Sequence, residues 1–375
     1  MKALFVLLFA LTGWMLSGCS EDAPPPSSST QAVQKQEQKA SPLQADLTVL
    51  AEHSFRQTTE LLHLGHQLHI SIRDFLKTPS EQSLTVAKQA YSSLLQQWVQ
   101  SLPYINMTAL TTSGAPLMNR LEKLPMLPGY LDQIPDYPFS GLVHDIMLPI
   151  ESDNLMRLHT LDNDEQVIFG LSAIEFLLFD HYQADHYKKF LPMTSLSQEE
   201  QQEQIQLEQL PNNRRRALLL SQANQLVEDL SELHKRWLSE GGDDSKRLIS
   251  LTDKNLKLAL SSSLKKNTQL ILDALNSVQE KPLMLGRAHF SREEKALLNT
   301  GVSSLKAFHE SIQAIWQAYP QTEKDEFDGV LESLLELHEQ YTEDPSNSLL
   351  LELASNRCNQ LLEISDDLSF EEAPE

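Results

Sequence analysis

The sequence contains few cysteines, glycines and aromatic residues, and each shortage excludes a class of structure. Only Cys19 and Cys358 are cysteines among 375 residues, so a disulfide-rich scaffold is excluded. No CxxC motif occurs, and Cys358 lies in an apolar helical stretch, so we interpret it as a small buried residue. Twelve glycines and 7% aromatic residues are too few for an all-β fold, which needs many turns.

Positive charge is also scarce, because 30 Lys and Arg stand against 52 Asp and Glu, giving a net charge of −22. A strongly acidic surface repels nucleic acid and anionic lipid, so we expect no nucleic-acid partner. The acidity is compatible with cationic ligands, although it is also a common means of keeping a protein in solution. At 41% hydrophobic residues, the chain can still bury a substantial core.

A pronounced apolar run occurs at the N-terminus. Lys2 precedes an apolar stretch that reaches Met15 and ends in Leu16-Ser17-Gly18-Cys19. This run is shorter than the ~20 residues that cross a bilayer as a helix, so residues 1–18 are predicted to be a cleaved signal peptide. The ending resembles the bacterial lipobox, which implies that Cys19 carries acyl chains and anchors the protein to a membrane. Ser20, by resemblance to the sorting rule for such lipoproteins, implies the outer membrane and a periplasmic location.

The next segment, residues 19–42, contains three consecutive prolines, three consecutive serines and a polar Gln/Lys/Glu stretch. It lacks the apolar residues needed for packing, so we predict a disordered tether. At ~5–6 Å × √n, such a tether reaches roughly 25–30 Å from the membrane.

From residue 43 onward the apolar residues recur with the period of a helix, so we predict an all-α fold. The architecture predicted is two stacked antiparallel helical bundles, residues 43–241 and 242–375, the second with an acidic tail. The boundary falls at Gly241-Gly242. The predicted helices cover residues 43–77, 80–102, 162–179, 212–239, 248–279, 292–318, 324–341 and 346–368.

A Pro-rich irregular insertion interrupts the first bundle. Seven prolines lie within residues 103–149, so Pro103 is predicted to end a helix and no long helix is expected before residue 142. Four aromatic residues indicate that the insertion is nevertheless packed and ordered: Tyr104, Tyr130, Tyr137 and Phe139.

The most informative segment is residues 167–179, which is apolar on nearly every side and is therefore predicted to be a buried helix. Asp162-Asn163 is predicted to cap its start. Glu175 lies within it, and a buried carboxylate needs a partner. One alternative is a structural partner, for which the residues Arg214-Arg215-Arg216 at the start of a later helix are candidates. The other is a site that binds a cation or a polar ligand.

The residues Gly170-Leu171-Ser172-Ala173-Ile174-Glu175-Phe176-Leu177-Leu178 resemble the signature of the imelysin-like lipoproteins, GxHxxE followed by an aromatic residue and two leucines. Other segments are similar to that family in a less specific way: residues 87–98, 212–237, 281–286 and 290–291. The resemblance implies two helical bundles, an envelope location and a role in iron or haem acquisition. Some members have been classed as metallopeptidases.

This chain departs from the signature at Ser172, where the family has His. A hydroxyl is a poor ligand for zinc or iron(II), so only Glu175 carries over with certainty as a ligand. His144 and His159 are candidates to replace the missing imidazole. Gly170 and the two arginines Arg215 and Arg216 are predicted to support the site.

His63, His66 and His69 form a separate row on the first predicted helix. Glu60 precedes them in a Glu-x-x-His pattern, but di-iron bundles need two copies of that pattern and further Glu residues. The first two histidines face away from the apolar stripe, so we predict a surface row.

Three functions follow from these observations. The first is a non-enzymatic envelope binding protein for iron, another divalent metal or haem. The second is a structural or protein-partner-binding lipoprotein with a degenerate metal site. The third, a metallopeptidase, is the least favoured, because no second ligand set of the HExxH kind can be found.

Overall fold

The computed structural model describes residues 42–135, 137–179, 185–279, 300–316, 321–343 and 348–370. These residues form an all-α structure, as the sequence predicts, and Ile134 and Tyr137 make an isolated β-bridge within them. The predicted signal peptide, Cys19 and nearly all of the predicted tether lie outside the described residues, as do residues 281–286 and 290–291. Contacts group the chain from Ala40 to Glu375 into one compact unit.

Four long helices carry the first part of the fold. They are α1 (Pro42–Lys77), α2 (Glu81–Ile105), α8 (Pro211–Arg236) and α10 (Asp253–Gln279), with the short α9 (Asp243–Ile249) before the last. The Ser80 side chain accepts from the Ser83 N–H at 3.1 Å, which caps α2 at the predicted position. The helix packs against α1 along its length, because a connection of three residues returns the chain antiparallel.

Short helices fill the region between α2 and α8. They are α3 (Gly114–Leu121), α4 (Pro128–Leu131), α5 (Ser152–Leu158), α6 (Leu171–Leu178) and α7 (Gln198–Gln202), with 3₁₀ turns at Asn106–Leu110, His186–Phe190 and Leu207–Gln209. No helix longer than eight residues lies between α2 and α8 in the described part of the chain, in agreement with the proline count.

The C-terminal helices are α11 (Val302–Trp316), α12 (Gln321–Glu343) and α13 (Ser348–Phe370). Both α11 and α13 pack with α10, α12 packs with α11 and α13, and α11 also contacts α1 and α2. Phe308 of α11 lies edge-on to Tyr104 at 5.2 Å, and both rings are buried. The division into two domains at Gly241-Gly242 stays a prediction.

Four details of the sequence reading are wrong. The helix α2 continues two residues beyond Pro103, so the loss of one backbone N–H donor there does not end it. The helix predicted over 248–279 is broken at residues 250–252. Tyr137 and Phe139 are 62% and 83% exposed, so they do not pack the insertion as predicted.

The fourth error concerns the helix predicted from residue 162. Asn163 makes an Asx turn instead, since its Oδ1 accepts from the Glu165 N–H at 2.9 Å. The helix α6 begins only at Leu171, after Gly170.

Other predictions are confirmed. Cys358 is fully buried, and burial raises the pKa of its thiol to about 12. His63 and His66 are exposed, while His69 is half-buried at the edge and its Nε2 pairs with Asn224 Oδ1 at 2.8 Å.

Candidate functional site

The signature helix α6 starts at a position that only glycine fits. Gly170 has φ +102°, in the region that side chains avoid. A Cβ atom there would lie 2.8 Å from the Arg120 carbonyl oxygen and 2.9 Å from that of Leu121. The backbone of α6 therefore packs directly on the end of α3, which fixes where the helix begins and how it is oriented.

The carboxylate of Glu122 caps the N-terminus of α6. Its Oε2 accepts a hydrogen bond from the Ser172 N–H at 2.9 Å, where a helix presents unpaired donors and partial positive charge. The Ser172 hydroxyl donates to the Lys123 carbonyl oxygen at 3.3 Å. The residue that replaces the family's His therefore joins α6 to the chain that follows α3.

Glu175 lies one turn further along and is only 7% exposed. Its Oε2 accepts a hydrogen bond from the Tyr91 hydroxyl at 3.0 Å. Tyr91 belongs to α2 and is completely buried, with its ring edge-on to Phe179 at 5.4 Å. The Lys88 ammonium lies 5.4 Å from the centre of the Phe179 ring. A carboxylate, a phenol and a cation thus gather where α2 meets the signature segment.

His159 supports the backbone just before α6. Its Nδ1 accepts from the Ile168 N–H at 3.1 Å and the Phe169 N–H at 3.3 Å. An acceptor role for Nδ1 requires a neutral ring with the proton on Nε2. Burial, followed by the charges of Arg120 and Lys123, lowers the pKa of His159 to about 4. The ring therefore stays neutral at pH 7 and holds the loop that leads into the signature helix.

The three arginines at the start of α8 were candidates to pair with Glu175, but the structure gives them other partners. Arg215 forms a buried ion pair with Asp132 and also donates to the Lys189 carbonyl at 3.1 Å. Arg214 donates to three carbonyl oxygens of the insertion, and Arg216 donates to the Phe190 carbonyl at 2.8 Å. The acid that explains cations in the first turn of a helix is thus Asp132.

His144 joins the same ion pair. Its Nε2 lies 3.4 Å from Asp132 Oδ1, and its side chain is 12% exposed. Burial alone would raise the pKa of Asp132, but hydrogen bonds from His144 and Arg215 outweigh it and lower that pKa. His144 is therefore a partner of the Asp132 carboxylate, while His159 accepts hydrogen bonds from the backbone of residues 168–169.

The structure thus places Ser172 and Glu175 on one short helix, with Gly170 directly before it. Each of the other predicted site residues has its own neighbours. The residues that sequence reasoning missed are Tyr91, Glu122 and Asp132. Tyr91 lies 84 residues from Glu175 and Asp132 lies 83 residues from Arg215, and no local sequence pattern predicts such pairings.

Within the described ranges, no three His, Cys, Asp or Glu side chains lie close enough to hold a metal ion. The described donors at Glu175 include its own carboxylate and the phenol of Tyr91. Transition metals in proteins favour imidazole and thiolate, with several ligands in a fixed geometry. The described donors therefore do not fit a resident zinc or iron(II) ion.

Comparisons with known proteins agree on the architecture. The family model described as imelysin, peptidase M75, matches residues 49–345. A crystal structure of an iron-regulated protein A precursor from Parabacteroides distasonis superposes with a TM-score of 0.56 at 13% identity, covering 88% of this chain and 96% of that one. At this identity the likeness shows the fold alone. No curated protein sequence matches the chain.

Proposed function

The chain belongs to the imelysin family, and we propose that it is a membrane-tethered, non-enzymatic binding protein of the bacterial envelope that serves the uptake of iron, another metal or haem. The cargo would be held at Glu175. One observation carries the proposal: a carboxylate is kept buried in an apolar helix, with the Tyr91 hydroxyl directed at it.

The cost of that arrangement supports a binding role. Taking an ionised carboxylate out of water costs several kcal/mol unless it is well compensated. A cationic or hydrogen-bond-donating cargo would contribute to that compensation. The link to iron rests on the fold shared with a protein described as iron-regulated.

The envelope location rests on the N-terminal sequence. The lipobox-like ending at Cys19 supports a lipid anchor, and Ser20 supports the outer membrane. None of the described helices is long and apolar enough to cross a membrane.

A peptidase activity is less favoured, although the family model is described as a peptidase. Ser172 occupies the position of the signature His, and its hydroxyl donates a hydrogen bond to the Lys123 carbonyl oxygen. Hydrolysis by a metallopeptidase needs a bound metal with an open position, and the described donors do not fit one.

The same contact of Ser172 favours a second candidate function, a structural or partner-binding lipoprotein. In that case the signature residues retain only a packing role, and a protein partner would remain bound when Glu175 is changed to Gln.

The test compares cargo bound by the protein purified from membranes under native conditions. Iron and other metals are measured by mass spectrometry and haem by absorbance, in the wild type, Glu175→Gln and Tyr91→Phe. We expect the first variant to lose about tenfold in bound cargo or affinity, and the second to lose less, because it retains the carboxylate.

Glu336→Gln is the matched control, because that carboxylate is exposed on α12. It should behave like the wild type. Equal and negligible metal and haem in the wild type and Glu175→Gln would contradict the proposal and leave the second candidate.

A further inference from the structure

Four large apolar side chains stand exposed on one surface loop of the insertion. Tyr137 is 62% exposed, Phe139 83%, Ile146 38% and Met147 84%. Single exposed apolar residues are ordinary, but four within residues 137–147 are not. We call these four residues the apolar tip.

The loop that carries the apolar tip is firmly held. Arg214 donates to the carbonyl oxygens of Leu142 at 2.7 Å, Val143 at 3.0 Å and Leu148 at 2.8 Å. Gln209 donates to the Ile146 carbonyl at 3.1 Å. The buried guanidinium of Arg214 thus fixes the backbone at residues 142, 143 and 148, which lie between Phe139 and Ile146 and directly after Met147.

Phe139 is oriented as well as exposed. Its ring stands edge-on to His144 at 6.0 Å, and His144 is itself fixed on Asp132. The Tyr137 N–H donates to the Ile134 carbonyl at 2.9 Å, which closes the turn before it. Side chains held in place lose little conformational entropy on binding, which is the property of the residues that dominate protein interfaces.

The charges around the apolar tip indicate the kind of partner. Asp145 lies between the two ends of the loop and is exposed, and its Oδ1 accepts from the Met147 N–H at 3.1 Å. Glu151 and Asp153, also exposed, follow Met147 by four and six residues. Carboxylates beside the apolar tip, on a chain of net charge −22, repel anionic lipid and favour a surface with Lys or Arg around an apolar centre.

We propose that the apolar tip is a docking surface for a second protein, which presents an apolar surface flanked by Lys or Arg residues. This inference does not depend on Glu175 or on the cargo proposed above. Because Phe139 and Met147 protrude most, they supply most of the contact.

The test uses a synthetic peptide of Leu and Lys that forms an amphipathic helix. A peptide with the same residues in scrambled order is the control, because it has the same charge but no apolar face. Binding of each labelled peptide to the purified full chain is measured by fluorescence anisotropy. We expect the amphipathic peptide to bind at least about tenfold more tightly than the scrambled one. We expect Phe139→Ser with Met147→Ser, and separately Asp145→Lys, to weaken it by about tenfold.

Ile70→Ser is the matched control, because Ile70 is 55% exposed on α1 and lies outside the loop. It should bind like the wild type, and circular dichroism should show all variants folded. Equal binding of both peptides, or full binding by the double variant, would overturn the proposal. Phe139-dependent binding to phosphatidylcholine vesicles without peptide binding would also overturn it, in favour of a membrane contact.

Discussion

Gly170 shows how one residue can determine where a helix begins. The sequence analysis predicts that Gly170 lies inside a helix, because its neighbours are apolar. Its backbone conformation cannot be predicted from the sequence. The structure places it at φ +102° against two carbonyl oxygens of α3. The glycine of the signature therefore has a steric role that can be tested separately from any ligand.

We expect Gly170→Ala to lower the free energy of unfolding by at least about 2 kcal/mol, because the added Cβ meets rigid backbone as well as an unfavourable φ. Gly241→Ala is the control. Gly241 has φ +93°, but its Cβ would meet nothing within 4 Å. Urea unfolding should show a clearly larger loss for Gly170→Ala, and equal losses would mean that the close approach to α3 is unimportant.

His159 provides a prediction of pH dependence. Its folded pKa of about 4 is below the ordinary value near 6.5, so the unfolded chain takes up the proton first. Stability from this group is thus complete above pH 6.5 and is lost as the pH falls toward 4. At pH 5 the free energy of unfolding should be lower by up to about 2 kcal/mol. The partial exposure of the ring reduces this value, because water screens its charge.

His159→Asn tests this expectation, since the amide oxygen can still accept from the backbone N–H groups but does not titrate. The variant should lose less stability than the wild type between pH 7 and pH 5, as measured by urea unfolding at both pH values. Parallel losses in the two proteins would assign the acid sensitivity to other groups.

At the scale of elements, α8 organises the insertion. Its first turn holds three arginines that would repel the helix dipole if they were unpaired. Arg215 pairs with Asp132 instead, and both side chains are almost fully buried. The irregular segment, whose described helices are all short, is thus held to a long helix by an ion pair and by hydrogen bonds to its carbonyl oxygens.

We expect Asp132→Asn to lower the free energy of unfolding by about 3–5 kcal/mol, because the Arg215 charge stays buried without its counterion. The double change Asp132→Leu with Arg215→Met should recover much of this loss, since it removes both charges. Urea unfolding and limited proteolysis within residues 122–150 give the comparison. A double variant as unstable as Asp132→Asn would show that packing, and not charge, dominates there.

The same elements show what a single sequence can and cannot predict. The long helices α1, α8, α12 and α13 were predicted within about three residues, because their apolar residues repeat at helical spacing and their ends carry Pro or polar residues. The buried state of Glu175 followed from its apolar neighbours. Its contact with Tyr91 did not, because the two residues are 84 positions apart and meet only in the folded chain.

At the scale of the whole molecule, several buried contacts cross the predicted boundary at Gly241-Gly242. The Ser263 hydroxyl donates to the Pro103 carbonyl at 2.6 Å, and the Ser304 hydroxyl donates to the Gln100 carbonyl at 2.8 Å. Phe308 packs edge-on against Tyr104. The end of α2 is therefore bound by helices from the C-terminal part, which couples the two predicted bundles.

This coupling predicts one cooperative unfolding transition. Phe308→Ala removes a ring that is 1% exposed, so it should lower stability by about 3–5 kcal/mol. Because the ring lies between the two predicted bundles, the loss should shift the unfolding of both together. Calorimetry should show a single peak that moves to lower temperature, with far-UV circular dichroism following the same midpoint. Two resolved peaks, of which the variant moves only one, would show that the bundles unfold independently despite their shared contacts.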